Sequence, residues 1–298
     1  MTLSKSKSRT NFIYHNAVKS MTNSFSQSLL PLDFTGRHVL VFGGTTGINF
    51  GIARAYARCG ARVTVASRSS ANVDAARSAL AELGAEVLGL CADVRDFTAV
   101  ESVFQEAAAQ FGPIDVLVSG AAGNFLCAAQ DLSSNGFKVV VDIDLVGTFH
   151  VMRAALSHLR KPGASVINIT APQASVPMRY QVHCGAAKAG IDQLTRILAL
   201  EWGGEGVRVN GISPGPIEAT EGTKRLMSAG EDEQEQARRR VPLQRWGTTE
   251  DIANLALFLG SPYASFISGA VLPCDGGGAL ESVKPTIEAV GSIMAAGR

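Results

Sequence analysis

The sequence predicts an α/β fold, a single doubly wound domain on a seven-stranded parallel sheet with helices on both faces. From Arg37 onward, seven short β-rich runs alternate with longer Ala- and Leu-rich segments of helical period. The first run leads through a glycine-rich turn into an amphipathic segment. Neither a linker nor an internal repeat interrupts residues 36–278.

In order, the strands are expected at HVLVFG (38–43), RVTVAS (62–67), EVLGLCADV (86–94), VLVSGA (116–121), SVINIT (165–170), RVNGIS (208–213) and AVLPCDG (270–276). Helices are expected over 48–59, 71–83, 97–111, 133–160, 184–203 and 249–259. The segments 133–160 and 184–203 carry more apolar positions than one sheet-facing stripe needs, among them Ile191, Leu194, Leu198 and Leu200. A second subunit would use such a face, and so would deep burial within one subunit.

Composition narrows the partners. The chain has 298 residues, 46% hydrophobic and 18% charged, with 27 Lys and Arg against 26 Asp and Glu. A net charge of +1 offers no field for nucleic acid, so a small ligand is expected. No apolar run reaches the roughly 18 residues that a membrane span requires. Cys59, Cys91, Cys127, Cys184 and Cys274 are widely spaced and form no CxxC pair. Reduced thiols in a cytosol-like compartment are therefore expected, and no metal site. Residues 1–33 are Ser-rich, with Lys5, Lys7, Arg9 and Lys19 and no acid before Asp33. An unstructured arm ahead of a domain over 34–298 fits that composition, and so does a transit peptide to the mitochondrial matrix. The C-terminal IMAAGR carries no retention or peroxisomal tripeptide.

The turn GGTTGI (Gly43, Gly44, Thr45, Thr46, Gly47, Ile48) joins the first strand to the first helix, where backbone amides cradle a pyrophosphate in a Rossmann fold. Its spacing is not GxGxxG, because Asn49 stands where a third glycine is expected. At the end of the second strand, an acid would accept from a ribose 2′-hydroxyl and mark NAD. Here Ser67 and Arg68 take its place, and Arg68 suits a 2′-phosphate, so NADPH is the expected cofactor.

GGTTGI, Asp93 after the third strand, SGAAGN (119–124), AAKAG (186–190) and PGPI (214–217) fall in an order that resembles the short-chain dehydrogenase/reductase family over Arg37 to Gly277. The resemblance implies that Asp93 and Val94 flank adenine and that Ala121, Ala122 and Gly123 line the cofactor. It also implies that Lys188 bonds the nicotinamide ribose and that Pro214, Gly215, Ile217 and Thr220 hold the carboxamide. That family usually places a tyrosine four residues before the lysine and a serine about thirteen before the tyrosine. This sequence has Cys184 and Ala171 there. Without a phenol to protonate an alkoxide, carbonyl chemistry is disfavoured. Hydride delivered to a conjugated carbon avoids the problem, since the proton then goes to carbon and the site needs donors for a dienolate oxygen.

SGAAGNFLCAA, VDIDLVGTF, QVHCGAAKAGIDQLTR, ALEWG and PGPIEATEG resemble, more narrowly, the peroxisomal-type 2,4-dienoyl-CoA reductases and their bacterial relatives. That group lacks the tyrosine, and the resemblance implies catalysis by Lys188 with Asp144. It further implies an acyl-CoA thioester substrate beside Phe125, Ser133, Ser134 and Asn135, with Arg95 and Arg225 facing CoA phosphates and Arg68 serving both ligands. A homotetramer is implied as well. Ser119, where the family often has Asn, and Asn49 depart from its pattern. Asp144 could also serve Lys188 as a charge partner alone. Cys184 reads either as a nucleophile activated by Lys188 or as a small filler of the absent ring's space. Tyr180 reads as a recruited acid or a loop residue, and His183 as a catalyst or a hydrogen-bonded structural histidine. Reduction of another conjugated enone and an inactive NADP-binding scaffold remain the rival functions.

Overall fold

The computed structural model describes residues 32–218, Thr220 and 231–283. Seven strands form one sheet in the order β3-β2-β1-β4-β5-β6-β7, and every pair is parallel. They are β1 His38–Phe42, β2 Arg62–Ser67, β3 Val87–Cys91, β4 Val116–Ser119, β5 Ser165–Ile169, β6 Arg208–Pro214 and β7 Val271–Cys274. β1, β4 and β5 are buried along their whole length, as strands covered on both faces must be. Chain order reverses between β1 and β4, which opens a crevice at the strands' carboxyl ends.

The helices lie close to their expected positions: α1 Gly47–Arg58, α2 Ser70–Ala81, α3 Phe97–Phe111, α6 Val182–Trp202 and α8 Thr249–Gly260. Side-chain caps fix several starts: Asp96 accepts from the Thr98 and Ala99 N–H groups, and Thr248 forms a reciprocal box with Asp251. Helix α7, Glu231–Arg239, was not expected, because EDEQEQARR has no apolar stripe to read.

The long helix expected over 133–160 is interrupted. It runs as α4 Ser134–Val141, a π-helical turn Asp142–Val146 and α5 Gly147–Ala155. Gly147 lets this turn pack on Val94, since a Cβ there would lie 2.6 Å from a Val94 methyl carbon. The wider turn carries Asp144, 1% exposed, on the buried side of the helix.

The core between the sheet and α3, α5 and α6 is built on Leu40, Phe42, Phe104, Leu117, Met152, Val166 and Trp202. Trp202 and Trp246 are both buried, and so is Ile191. A second apolar face does exist on the long helices, with Phe137, Phe149, Ile197 and Leu200 exposed. Among the described residues no helix is long and apolar enough to cross a membrane.

Candidate active site

A cleft of about 830 Å3 runs across the carboxyl ends of the strands. The turn after β1 forms its floor: Gly43 (φ 73°) and Gly47 (φ 55°) adopt left-handed backbone that favours glycine. A Cβ on Gly43 would sit 2.9 Å from the Ala121 nitrogen, so this turn and the loop after β4 touch through backbone alone. Asn49 braces that contact. Its amide nitrogen donates to the Gly120 carbonyl at 2.7 Å, and a Cβ on Gly120 would fall 2.3 Å from the Asn49 Oδ1. Further along α1, Gly51 lets α8 pack closely, since a Cβ there would meet Thr249 at 2.6 Å.

The cleft lining brings together Gly43, Thr45, Thr46, Gly47, Ile48, Ser67, Arg68, Asp93, Val94, Ala121, Ala122, Gly123, Pro214, Gly215, Ile217 and Thr220, with Asp144 and Lys188. Backbone amides at the start of α1 and a glycine floor fit a pyrophosphate. Arg68 beside Ser69 and Asn72 at the start of α2 fits a further anionic group at the second strand's end. Sequence reasoning did not single out Asn72.

Lys188 is 5% exposed. Its Nζ stands 3.0 Å from Asp144 Oδ2 and donates to the Ile169 carbonyl at 3.4 Å. Asp144 Oδ1 accepts from the Gly123 N–H at 2.7 Å, whereas Oδ2 makes the ion pair without a hydrogen-bond alignment. The carboxylate thus holds the loop after β4 with one oxygen and keeps the other toward the lysine. Cys184 lines the cleft and is buried. Burial pushes its thiol above the usual range, outweighing the downward pull of Lys188, and Asp144 pushes the same way as burial. A raised thiol is a poor nucleophile, which favours the space-filling reading.

Three amides line one end of the cleft or adjoin it. Asn124 Nδ2 and Gln173 Nε2 both donate to Gln181 Oε1 at 2.9 Å, and Gln173 Oε1 is buried without a partner. Asn124 and Gln173 face the cleft. The sequence shows only that donors are needed; loop folding decides which amides reach the cleft.

Other expected site residues lie elsewhere. Arg95 pairs with Asp93 at 2.6 Å and does not line the cleft. The Asp93 carboxyl is held below its ordinary value chiefly by the Arg95 hydrogen bond. Ser133 caps α4 by accepting from the Gly136 N–H, and Ser133, Ser134 and Asn135 stand outside the cleft lining. Phe125 also stands outside it and stacks on His183 at 4.5 Å, while His183 Nε2 bonds the Phe125 carbonyl at 3.0 Å, a structural role for the histidine. Tyr180 is 56% exposed on the loop before α6 and does not line the cleft. Arg225 lies outside the described residues.

A family model described as Enoyl-(Acyl carrier protein) reductase matches residues 43–278. The chain belongs to the short-chain dehydrogenase/reductase family. It is 42% identical over 252 residues to an Arabidopsis thaliana peroxisomal 2,4-dienoyl-CoA reductase named as (3E)-enoyl-CoA-producing, covering 81% of this chain and 84% of that one. A Bacillus subtilis protein named as a probable 2,4-dienoyl-CoA reductase, (2E)-enoyl-CoA-producing, is 40% identical over 244 residues, covering 80% of this chain and 95% of that one. Among solved structures, a short-chain type dehydrogenase/reductase from Mycobacterium marinum matches with a TM-score of 0.77 at 29% identity, covering 84% and 99% of the two chains. This family member is an oxidoreductase, and its relatives imply a nicotinamide cofactor.

Proposed function

We propose that the protein reduces 2,4-dienoyl-CoA thioesters with NADPH, giving a 3-enoyl-CoA in the β-oxidation of unsaturated fatty acids. One observation carries the reading: the usual phenol position holds a buried cysteine, while an intact Lys188–Asp144 pair occupies the same cleft. When bound, the nicotinamide supplies the hydride, which goes to the terminal carbon of the conjugated system. Lys188 orients the ribose, and its positive charge favours the dienolate. Asn124 and Gln173 supply amide N–H donors for the thioester oxygen once they turn from Gln181. A water held by the Asp144 carboxylate gives one proton to the α carbon and is itself reprotonated from solvent. Hydride and proton together account for the two hydrogens gained.

Arg68, Ser69 and Asn72 support the 2′-phosphate and hence NADPH over NADH. The exposed apolar faces of α4 to α6 support a homotetramer. The printed names of the Arabidopsis and Bacillus relatives support the substrate class and differ on the product isomer.

The test follows NADPH absorbance with a panel of dienoyl-CoA thioesters, enoyl-CoA thioesters and free enones, and identifies the product isomer. Turnover confined to dienoyl-CoA is expected. Turnover of free enones at equal rates would transfer the reading to a general enone reductase, and binding of NADPH without oxidation anywhere in the panel would make the protein a scaffold.

A further inference from the structure

Beside the cleft lies a second cavity of about 260 Å3, and Gln173 and Met178 line both. Its remaining walls come from the loop after β4 (Cys127, Ala129) and from the loop and first turn leading into α6 (Pro177, Val182, Gly185). No charged side chain lines it. Its amide N–H groups point at one another's partners: Gln181 Oε1 accepts from Asn124 and Gln173, and Gln181 Nε2 lies 3.9 Å from the Met178 sulfur, which leaves the Gln173 Oε1 as the one buried amide acceptor among them without a partner. A ligand there meets apolar surface and few free donors.

Two further features mark the place as built. Tyr180 has φ 68°, a left-handed conformation that is an outlier for a bulky residue. Its carbonyl accepts from the Cys127 N–H at 2.9 Å, pinning the two walls together. Leu126, Met178, Tyr180 and Val182, all exposed, gather along these same two loops. Such a patch beside a cleft is the signature of an apolar ligand groove.

We infer that this cavity receives the saturated tail of the acyl substrate beyond its conjugated carbons and sets the protein's chain-length preference. The inference rests on the acyl-thioester reading above and names the part of the substrate that the second cavity takes. A pantetheine arm, with two amides and a phosphate end, would leave its polar groups unpaired against Pro177, Val182 and Ala129. A hydrocarbon tail loses nothing there.

The experiment measures kcat/KM with NADPH for 2,4-dienoyl-CoA thioesters of six to fourteen carbons. In parallel, titration calorimetry measures binding of saturated acyl-CoA of the same lengths to the NADP-loaded protein. The expected result is a rise of about twofold per methylene, below the full-burial value because Val182 leaves the groove open. Ala129→Phe and Val182→Trp, both at exposed positions that tolerate bulk, should each cut the fourteen- to six-carbon ratio about tenfold. Circular dichroism and thermal melting verify that each variant folds. An unchanged ratio in both variants overturns the inference. An equal loss at every length also overturns it, by putting the thioester side of the substrate in the cavity. Acyl-CoA binding that strengthens with length, without turnover of any dienoyl-CoA, would uphold the cavity and sink the reduction reading. Binding that is flat with length overturns the cavity whatever the turnover.

Discussion

Asp115 and Asp144 lie at opposite ends of the same strands, both buried, and their hydrogen bonding differs as their roles do. Asp115 precedes β4 at the amino end: Oδ1 accepts from Arg37 at 2.8 Å and Arg160 at 2.5 Å, and Oδ2 from the His38 N–H at 2.9 Å. Burial works to raise its carboxyl, but the hydrogen bonds from Arg160, the His38 N–H and Arg37 outweigh it and hold the group below its ordinary value. Asp144, at the carboxyl end, has one oxygen fixed by Gly123 and the other paired only by the 3.0 Å approach of Lys188. Asn49 Oδ1 and Gln173 Oε1, on two other residues that line the cleft, are buried without hydrogen-bond partners. Asp115 commits both oxygens to hydrogen bonds at the strands' amino end, whereas Asp144 keeps one oxygen in reserve.

Removing the reserve should show the largest effect. Lys188→Ala and Asp144→Ala are each expected to lower kcat at least about a thousandfold, near the upper range for a lost proton-handling group. NADPH absorbance with a dienoyl-CoA measures it. Full activity in Asp144→Ala would reduce that residue to a charge partner. Asp115→Ala reverses the pattern: stability to urea should fall by about 2–3 kcal/mol as the His38 N–H loses its acceptor, with kcat within about twofold of the parent. Since the Asp115 carboxyl is held below its unfolded value, its stabilisation is present above the unfolded value of about 3.9 and fades as pH falls through the folded one. The stability gap between the parent and Asp115→Asn should therefore narrow in acid, and a constant gap from neutral pH down would refute the linkage.

A smaller effect is expected at the cofactor's outer edge. Arg68→Ala should raise the KM for NADPH about tenfold to a hundredfold and leave that for NADH within about threefold, because only the former carries the 2′-phosphate. Equal losses with both cofactors would show that Arg68 serves the fold or the substrate instead.

The contrast between the two ends also explains what the sequence discloses. Strand positions and the glycine turn were legible because periodicity and short-range motifs encode them, and the pairing of Lys188 with Asp144 was legible only through the family resemblance. Asn124 and Gln173 were not, since 49 positions separate them in chain and only the folding of two loops brings them to Gln181. Asn49 read as a missing glycine, because its contact with Gly120 spans 71 positions. The π turn at Asp142–Val146 has no apolar signature distinct from a continuous helix, so the wider turn that carries Asp144 escaped notice. Helix α7 escaped for the opposite reason, having polar residues on every side.

The smallest effect is expected at Cys184, although it lies one helical turn from Lys188. A nucleophile there would need a lowered thiol value, and burial sets it in the other direction. The side chain is 3% exposed and fills the position of the family's phenol, so its loss leaves only a small space next to the lysine. Cys184→Ala should therefore keep kcat within about threefold, costing about 1 kcal/mol of stability for the shed sulfur. Iodoacetamide at neutral pH should label exposed Cys91 well ahead of Cys184, as read by peptide mass. A hundredfold loss in Cys184→Ala, or labelling of Cys184 first, would make the thiol part of the chemistry and put the carboxyl end's proton handling on three groups instead of two.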